Sequence, residues 1–271
     1  MTFTEVVDGI GHAGGDSARG FAALGCRTAM VAHVGADPAG DWVRAVLAGD
    51  GIDLRAVGTD PAGTARSVNL VSPDGSRRGF YDGRSHLTMP APANAAAIVA
   101  DARLTLFHLS NWSRRLLPAA RAAGGIVAAD LQDLLDPADP YRLDFVEQAD
   151  ILFFSAVNVA DPAMTVRALL GDRPDRVVVA GMGAHGCAVG TADGIRTYPP
   201  VPLDLPVIDT NGAGDALAVG FLSSYVLDRR PLEESVHRGQ VAARWICAHR
   251  SSSAPLITAT QLHQLGTAPR Q

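Results

Sequence analysis

No lysine occurs anywhere in the 271 residues, so all 23 basic side chains are arginine. That excludes chemistry needing a side-chain primary amine, including Schiff-base catalysis and a phosphate loop of the GxxxxGK type. Cysteine is scarce. Cys26, Cys187 and Cys247 lie far apart, form no CxxC pair and are odd in number, so reduced and mostly buried thiols are expected rather than a disulfide framework. Long apolar runs are missing too: Ala216 to Leu227, an uncharged segment, is too short to span a bilayer. There is no basic tract to follow a phosphate backbone, and a net charge of −5 with a pI near 5.9 argues against a nucleic-acid binder. No basic-then-apolar leader opens the chain. The expectation is a cytoplasmic protein with neither membrane nor nucleic acid as a partner.

What is present is a 47% hydrophobic composition, enough for a substantial core, arranged as short β-branched runs alternating with Ala/Leu-rich stretches. Strands are predicted at Thr28 to Val34, Leu104 to Leu109, Gly125 to Asp130, Ile151 to Phe154 and Arg176 to Ala180. Helices are predicted at Asp41 to Ala48, Asn94 to Ala100, Arg114 to Ala123 and Ala163 to Leu170, each long enough to cross between parallel strands. From Asn211 onward the pattern is helical, over 212–227, 232–248 and 258–265. Residues 64–83 break the rhythm with two alternating runs around Ser-Pro-Asp-Gly, the signature of a hairpin that projects as a lid. With no repeat and no linker, one domain over 1–271 is the economical reading.

The least ordinary stretch is DTNGAGDALAVGF, Asp209 to Phe221. A helix beginning near Gly212 leaves its first amides unpaired, its glycines let a ligand approach the backbone, and its dipole favours negative charge there. Asp215 would then sit beside an anion site, able to take a proton from a hydroxyl while the amides hold the charge developing on a transferred group. The bland alternative is that Asn211 caps the helix and Asp215 merely complements its dipole. A dinucleotide fingerprint fits poorly, because Leu217 stands where its third glycine or alanine belongs.

Asp-Thr-x-Gly-Ala-Gly-Asp followed by ALAVGFL closely resembles the C-terminal signature of the ribokinase-like (PfkB) sugar kinases. The order and spacing of other segments extend the resemblance: VAHVGADPAGDWVRAVLAGDGID (31–53), FHLSNW (107–112) and VVVAGMGAHGCAV (177–189). The resemblance implies an α/β fold, with a Rossmann-like, mostly parallel sheet flanked by helices and a small β lid. It also implies transfer of the γ-phosphoryl group of ATP to a hydroxyl of a small carbohydrate. Carried over by position, Asp215 matches the general base, Gly212, Ala213 and Gly214 the anion hole, and Gly183, Gly186 and Gln240 the nucleotide side. Gly14, Gly15, Asp16 and Asn111 match the sugar side, and Asn158 the metal side. Members use Mg²⁺ with ATP, many respond to a monovalent cation, and pairing through the lids makes a homodimer an expectation. Nucleoside kinases share the motif; a non-catalytic sugar- or nucleotide-binding relative is the alternative from another class.

The chain departs from the family in several places. The asparagine expected after Gly14-Gly15 is replaced by Ala18 and Arg19, so a turn and cap before a helix starting near Ser17 competes with sugar binding there. Only 13 residues precede Gly14, where the family carries a strand with a sugar-binding aspartate; the fold is therefore expected to lack that first strand and to show an exposed edge or gap. The family's Asn-x-x-Glu is Ser155-Ala-Val-Asn158, and Gly181 replaces a common threonine. His108 reads as a satisfied strand-end histidine, since no HxxH spacing suggests a metal site. Arg77, Arg78 and Arg84 in the lid read mainly as solvated charges.

Overall fold

The computed structural model describes residues 6–71, 77–249 and 256–266. Its centre is a six-stranded sheet of order β10-β9-β8-β7-β6-β5. The strands are β5 (Leu104–Phe107), β6 (Ile126–Asp133), β7 (Ile151–Ser155), β8 (Val177–Gly181), β9 (Cys187–Thr191) and β10 (Gly194–Tyr198). β5 to β8 run parallel, and the β8-β9 and β9-β10 pairs are antiparallel. β7 and β8 read ILFFS and VVVAG because both their faces are covered, which is what helices on two sides of a parallel sheet require.

Alternate residues of each strand feed the two sides. Leu152, Phe154, Val178 and Ala180 join one core with Leu117 of α4 (Leu117–Ala123), Phe145 of α5 (Leu143–Gln148) and Val166 of α6 (Pro162–Leu170). Ile151, Phe153, Val177 and Val179 join the other, with Ala218, Phe221 and Leu222 of α7 (Ala213–Leu222) and Val236 of α8 (Leu232–Cys247). α7 continues into a π-helical turn at Ser223–Leu227, and α9 covers Ala259–Gly266. α3 (Ala95–Asp101) packs beside α4, and α1 (His12–Ala23) lies against α7. Among the described residues, no helix is long and apolar enough to cross a membrane.

Two small sheets complete the fold. β1 (Ala29–Gly35) pairs in parallel with β2 (Asp53–Asp60) across α2 (Pro38–Gly49). β3 (Arg66–Val71) and β4 (Arg77–Asp82) make the antiparallel ribbon expected at 64–83; the turn at 72–76 lies outside the described residues. Arg84 of the lid is held locally, its side chain donating to the Thr64 carbonyl and lying 3.4 Å from Asp82.

The predicted strand at 28–34 forms but stands outside the central sheet. Among the described residues β1 pairs only with β2 and β5 only with β6, so each keeps an unpaired edge, and both line one large cavity. Their apolar residues are mostly half-buried, unlike those of β6 to β8. Among the described residues no strand lies between these two edges. Four further elements escaped the sequence reading: β2, whose DLRAVGTD is too polar to mark it, α5, and both strands of the β9-β10 hairpin. The helix placed near Ser17 begins instead at His12, so Gly14, Gly15 and Asp16 lie inside α1 rather than in a turn before it.

The Gly35-Ala-Asp37-Pro-Ala-Gly40 turn follows from crowding. A Cβ on Gly40 would lie 2.1 Å from the Gly35 carbonyl oxygen, and one on Gly35 would lie 2.4 Å from the Thr64 amide nitrogen. Asp37 caps α2 by accepting from the Gly40 amide at 2.8 Å, and it also accepts from the Thr64 hydroxyl at 2.6 Å and the Thr64 amide at 2.8 Å. Those hydrogen bonds hold its carboxyl down at about 2, from an ordinary 3.8.

Two outcomes follow for stability. Leu152→Ala, which empties a fully buried site, should cost about 2–5 kcal/mol in denaturant unfolding; a loss near zero would contradict the two-sided core. A depressed carboxyl contributes stability above its unfolded value and loses it as pH falls through its folded value. Asp37→Ala should therefore lower the Tm at neutral pH, by a margin that shrinks between pH 3.8 and about 2; a margin indifferent to pH would contradict the role of the charge.

Candidate active site

The loop before α7 is shaped by Asp209, whose Oδ1 accepts from the Asn211 amide at 2.9 Å and from Asn211 Nδ2 at 2.7 Å. Asn211 thus turns the loop and does not cap the helix. The N-cap is Gly212, at φ +76°, a left-handed conformation that glycine adopts without a Cβ penalty, and no side chain caps the helix. The Ala213 amide donates weakly to the Thr210 carbonyl at 3.3 Å, and the Asp215 amide turns back to its own carboxylate. Among the described residues the amides of Gly212 and Gly214 have no partner. Among the described residues the start of α7 thus leaves two donors without a partner, with Ala213 engaged but weakly.

Asp215 is brought to this place by the packing of α7 against α1. Gly20 makes the approach close: a Cβ there would lie 3.2 Å from Val219 Cγ1. One turn earlier, Ser17 donates to Asp215 Oδ1 at 3.5 Å. Asp16 sits beside Gly212. Burial pushes its carboxyl up to about 7, with Arg19 pulling the other way.

Two further side chains meet Asp215 from the sheet. Asp130 on β6 is only 8% exposed. Its Oδ1 accepts from the Gln132 amide at 2.8 Å, and burial raises its carboxyl to about 6. His108, just past β5, has both ring nitrogens shut off from solvent and without a hydrogen-bond partner, and burial lowers its imidazole to about 4. His108 Nδ1 stands 3.7 Å from Asp130 Oδ2. One ligand atom from each of His108, Asp130 and Asp215 lies within 4.8 Å of the others. Asp215 is pushed well above the usual carboxylate range, by burial first and then by the charges of Asp130 and Asp16. β6 bulges after Asp130, with Gln132 at φ +55°, an uncommon conformation of the kind found near functional sites. The expectation that His108 is a satisfied strand-end residue is overturned, because neither of its nitrogens is satisfied. Nothing in the spacing of 108, 130 and 215 marks the cluster; the only local hint is an Asp ending an apolar run in AADLQD.

Asp16, Ser17, His108, Gly212 and Asp215 lie on the wall of a cavity of about 2740 Å³ that also takes in Gly14, Gly15, His33 and Trp112, while Asp130 sits behind that wall. Gly14 faces Met30 and His108, at 3.2 and 3.9 Å from the position of an added Cβ. The His33 and Trp112 rings meet edge to face at 5.3 Å. Asn111 does not line the cavity; its Nδ2 donates to the Leu87 carbonyl at 2.6 Å, which ties it to the segment after β4.

The expected nucleotide-side residues are more scattered. Gly183, at φ +58°, faces the exposed Val157 in the turn that carries Asn158, so these two turns adjoin. Gly186 has a structural reason to be glycine: a Cβ there would lie 2.1 Å from the Tyr198 carbonyl oxygen, inside the β9-β10 hairpin. Gln240 is buried, and its Oε1 accepts from the Val201 amide at 3.2 Å, tying α8 to the segment after β10. None of Gly183, Gly186, Gln240 and Asn158 lines the large cavity.

A model of the pfkB family of carbohydrate kinases matches residues 4–259. The acarbose 7(IV)-phosphotransferase of an Actinoplanes species is 35% identical over 253 residues, covering 91% of this chain and 83% of that protein. The ribokinase of Haemophilus influenzae is 26% identical over 251 residues, 86% of this chain and 79% of its own. The solved structure of the microbiome-derived acarbose kinase Mak1 superposes with a TM-score of 0.88 at 30% identity, over 98% of this chain and 90% of that one. Arabidopsis thaliana ribokinase complexed with ribose and ATP matches in fold, with a TM-score of 0.82 at 19% identity over 96% and 88%. The chain belongs to the pfkB family of carbohydrate kinases, phosphotransferases that use an alcohol group as acceptor and a nucleoside triphosphate as donor.

Proposed function

We propose that this kinase moves the γ-phosphoryl group of ATP onto a hydroxyl of a carbohydrate larger than one sugar ring, with acarbose the first acceptor to try. The observation that carries the reading is the start of α7, where Gly212 and Asp215 lie on the cavity wall and the Gly212 and Gly214 amides have no partner among the described residues. The two relatives named for acarbose favour a bulky acceptor over ribose or a nucleoside.

In this reading Asp215, ionised, accepts the proton of the acceptor hydroxyl as the O–H bond breaks and the oxygen attacks phosphorus. A carboxyl whose pKa burial and neighbouring charge raise is a stronger base than an ordinary aspartate once it is ionised. The Gly212 and Gly214 N–H groups, reinforced by the α7 dipole, donate to the phosphoryl oxygens as charge develops there. Asp16 offers an acceptor to sugar hydroxyls, and Gly14 and Gly15, which line the cavity beside it, leave room for a sugar to approach. ATP fits the glycine helix start, because a Cβ at Gly214 would meet nothing within 4 Å and the space beside it is open. Gly183 is placed to flank the nucleotide. The donor set for Mg²⁺ is poor: Ser155 and the exposed Asn158 offer neutral oxygens and no carboxylate, so no step is assigned to a protein-bound magnesium.

ATP consumption over a panel of acarbose, ribose and adenosine tests the reading. Acarbose should give the highest kcat/KM, and Asp215→Ala should lower kcat by about 10²–10⁴; equal turnover by both proteins would contradict the mechanism, and a preference for adenosine would place the acceptor among nucleosides. Gly214→Ala separates ligand approach from folding. With open space around the new methyl, it should leave the Tm unchanged and raise the KM for ATP; an unchanged KM would place the phosphates elsewhere.

A further inference from the structure

The His108–Asp130–Asp215 cluster contains a feature that proton transfer does not use. Two carboxylates converge there with no lysine or arginine hydrogen-bonded or ion-paired to either among the described residues. The third member is an imidazole whose two nitrogens are buried and unpartnered, an arrangement that native structures rarely leave uncompensated. Asp130, only 8% exposed, keeps Oδ2 without a hydrogen bond among the described residues and turns it toward His108 Nδ1 at 3.7 Å.

We propose that this cluster is a binding site for a transition-metal dication of the zinc class, held by His108, Asp130 and Asp215. The 3.7 Å between the His108 and Asp130 donors is close to the separation of two neighbouring ligands around an ion bound at about 2.0–2.2 Å to each. One nitrogen and two carboxylate oxygens suit Zn²⁺, Co²⁺ or Ni²⁺; Mg²⁺ and Ca²⁺ prefer all-oxygen shells. The ion satisfies the imidazole lone pair and removes the repulsion between the two carboxylates. Three protein ligands leave a further coordination position open toward the cavity. Because Asp215 is a ligand, the metal-bound protein has no free base, and the site acts as an inhibitory one. Only this inhibition rests on the kinase mechanism above; binding does not.

Cobalt titration of the nucleotide-free, tag-free chain tests the site without reference to turnover. Expected is one saturable equivalent of Co²⁺ with a visible d–d band of nitrogen–oxygen coordination. Zn²⁺ should displace it, and affinity should fall at least tenfold in both His108→Ala and Asp130→Asn, each checked for native circular dichroism. Should His108→Ala fail to fold, Asp130→Asn, nearly isosteric, decides alone. No saturable binding by the unmodified chain, undiminished affinity in the folded variants, or a sulfur-to-metal charge-transfer band pointing to cysteine would each overturn the proposal. Zn²⁺ at saturating concentration should also abolish phosphoryl transfer to any acceptor the chain uses. If no acceptor is ever phosphorylated the kinase mechanism fails, and the cobalt result still decides the metal site.

Discussion

The proposed phosphoryl-transfer site depends on how α7 is held. Its first turn must stay free of side-chain caps so that backbone donors remain open, yet its body must be fixed firmly enough to keep Asp215 in place. Ala218, Phe221 and Leu222 are fully buried against β7, β8 and α8, and the close approach at Gly20 adds α1. The helix is thus anchored by its apolar face while its N-terminus carries the cost of unsatisfied amides. A glycine at φ +76° turns the chain sharply into the helix without a side chain to block it.

The same packing creates the electrostatic problem of the site. α1 brings Asp16 and Ser17 to Asp215, and β6 brings Asp130, so three acidic side chains share a partly buried region that the formal charge of the chain does not balance. Burial and mutual repulsion favour their neutral forms. If this is the phosphoryl-transfer site, as proposed, the arrangement helps it only when charge is neutralised as ligands arrive. His108 does not do so, because burial keeps its imidazole neutral.

Much of this was legible in the residues and some was not. β6, β7 and β8 announce themselves because strands covered on both faces must be apolar throughout, and α7 because its glycines and aspartate have few other uses in that order. β2 was hidden because one strand of a small two-stranded sheet tolerates Arg55 and Asp53. The separation of β1 from the central sheet was not legible, since its own AMVAHVG reads like any inner strand. The His108–Asp130–Asp215 cluster was invisible because its members come from three elements and meet only through the tertiary fold. Gly186 and Gln240 show the opposite difficulty: both match positions with a binding role, yet each already has a packing or hydrogen-bonding reason to be where it is.

The central claim is that the start of α7 receives the phosphates. Amide nuclear magnetic resonance of the chain on addition of a non-hydrolysable ATP analogue addresses it directly. The account predicts that the Gly212 and Gly214 amide protons move downfield, as donors to an anion do, and more than the amides of Gly183 or Val201. Saturable binding of the analogue that leaves Gly212 and Gly214 unmoved would contradict it.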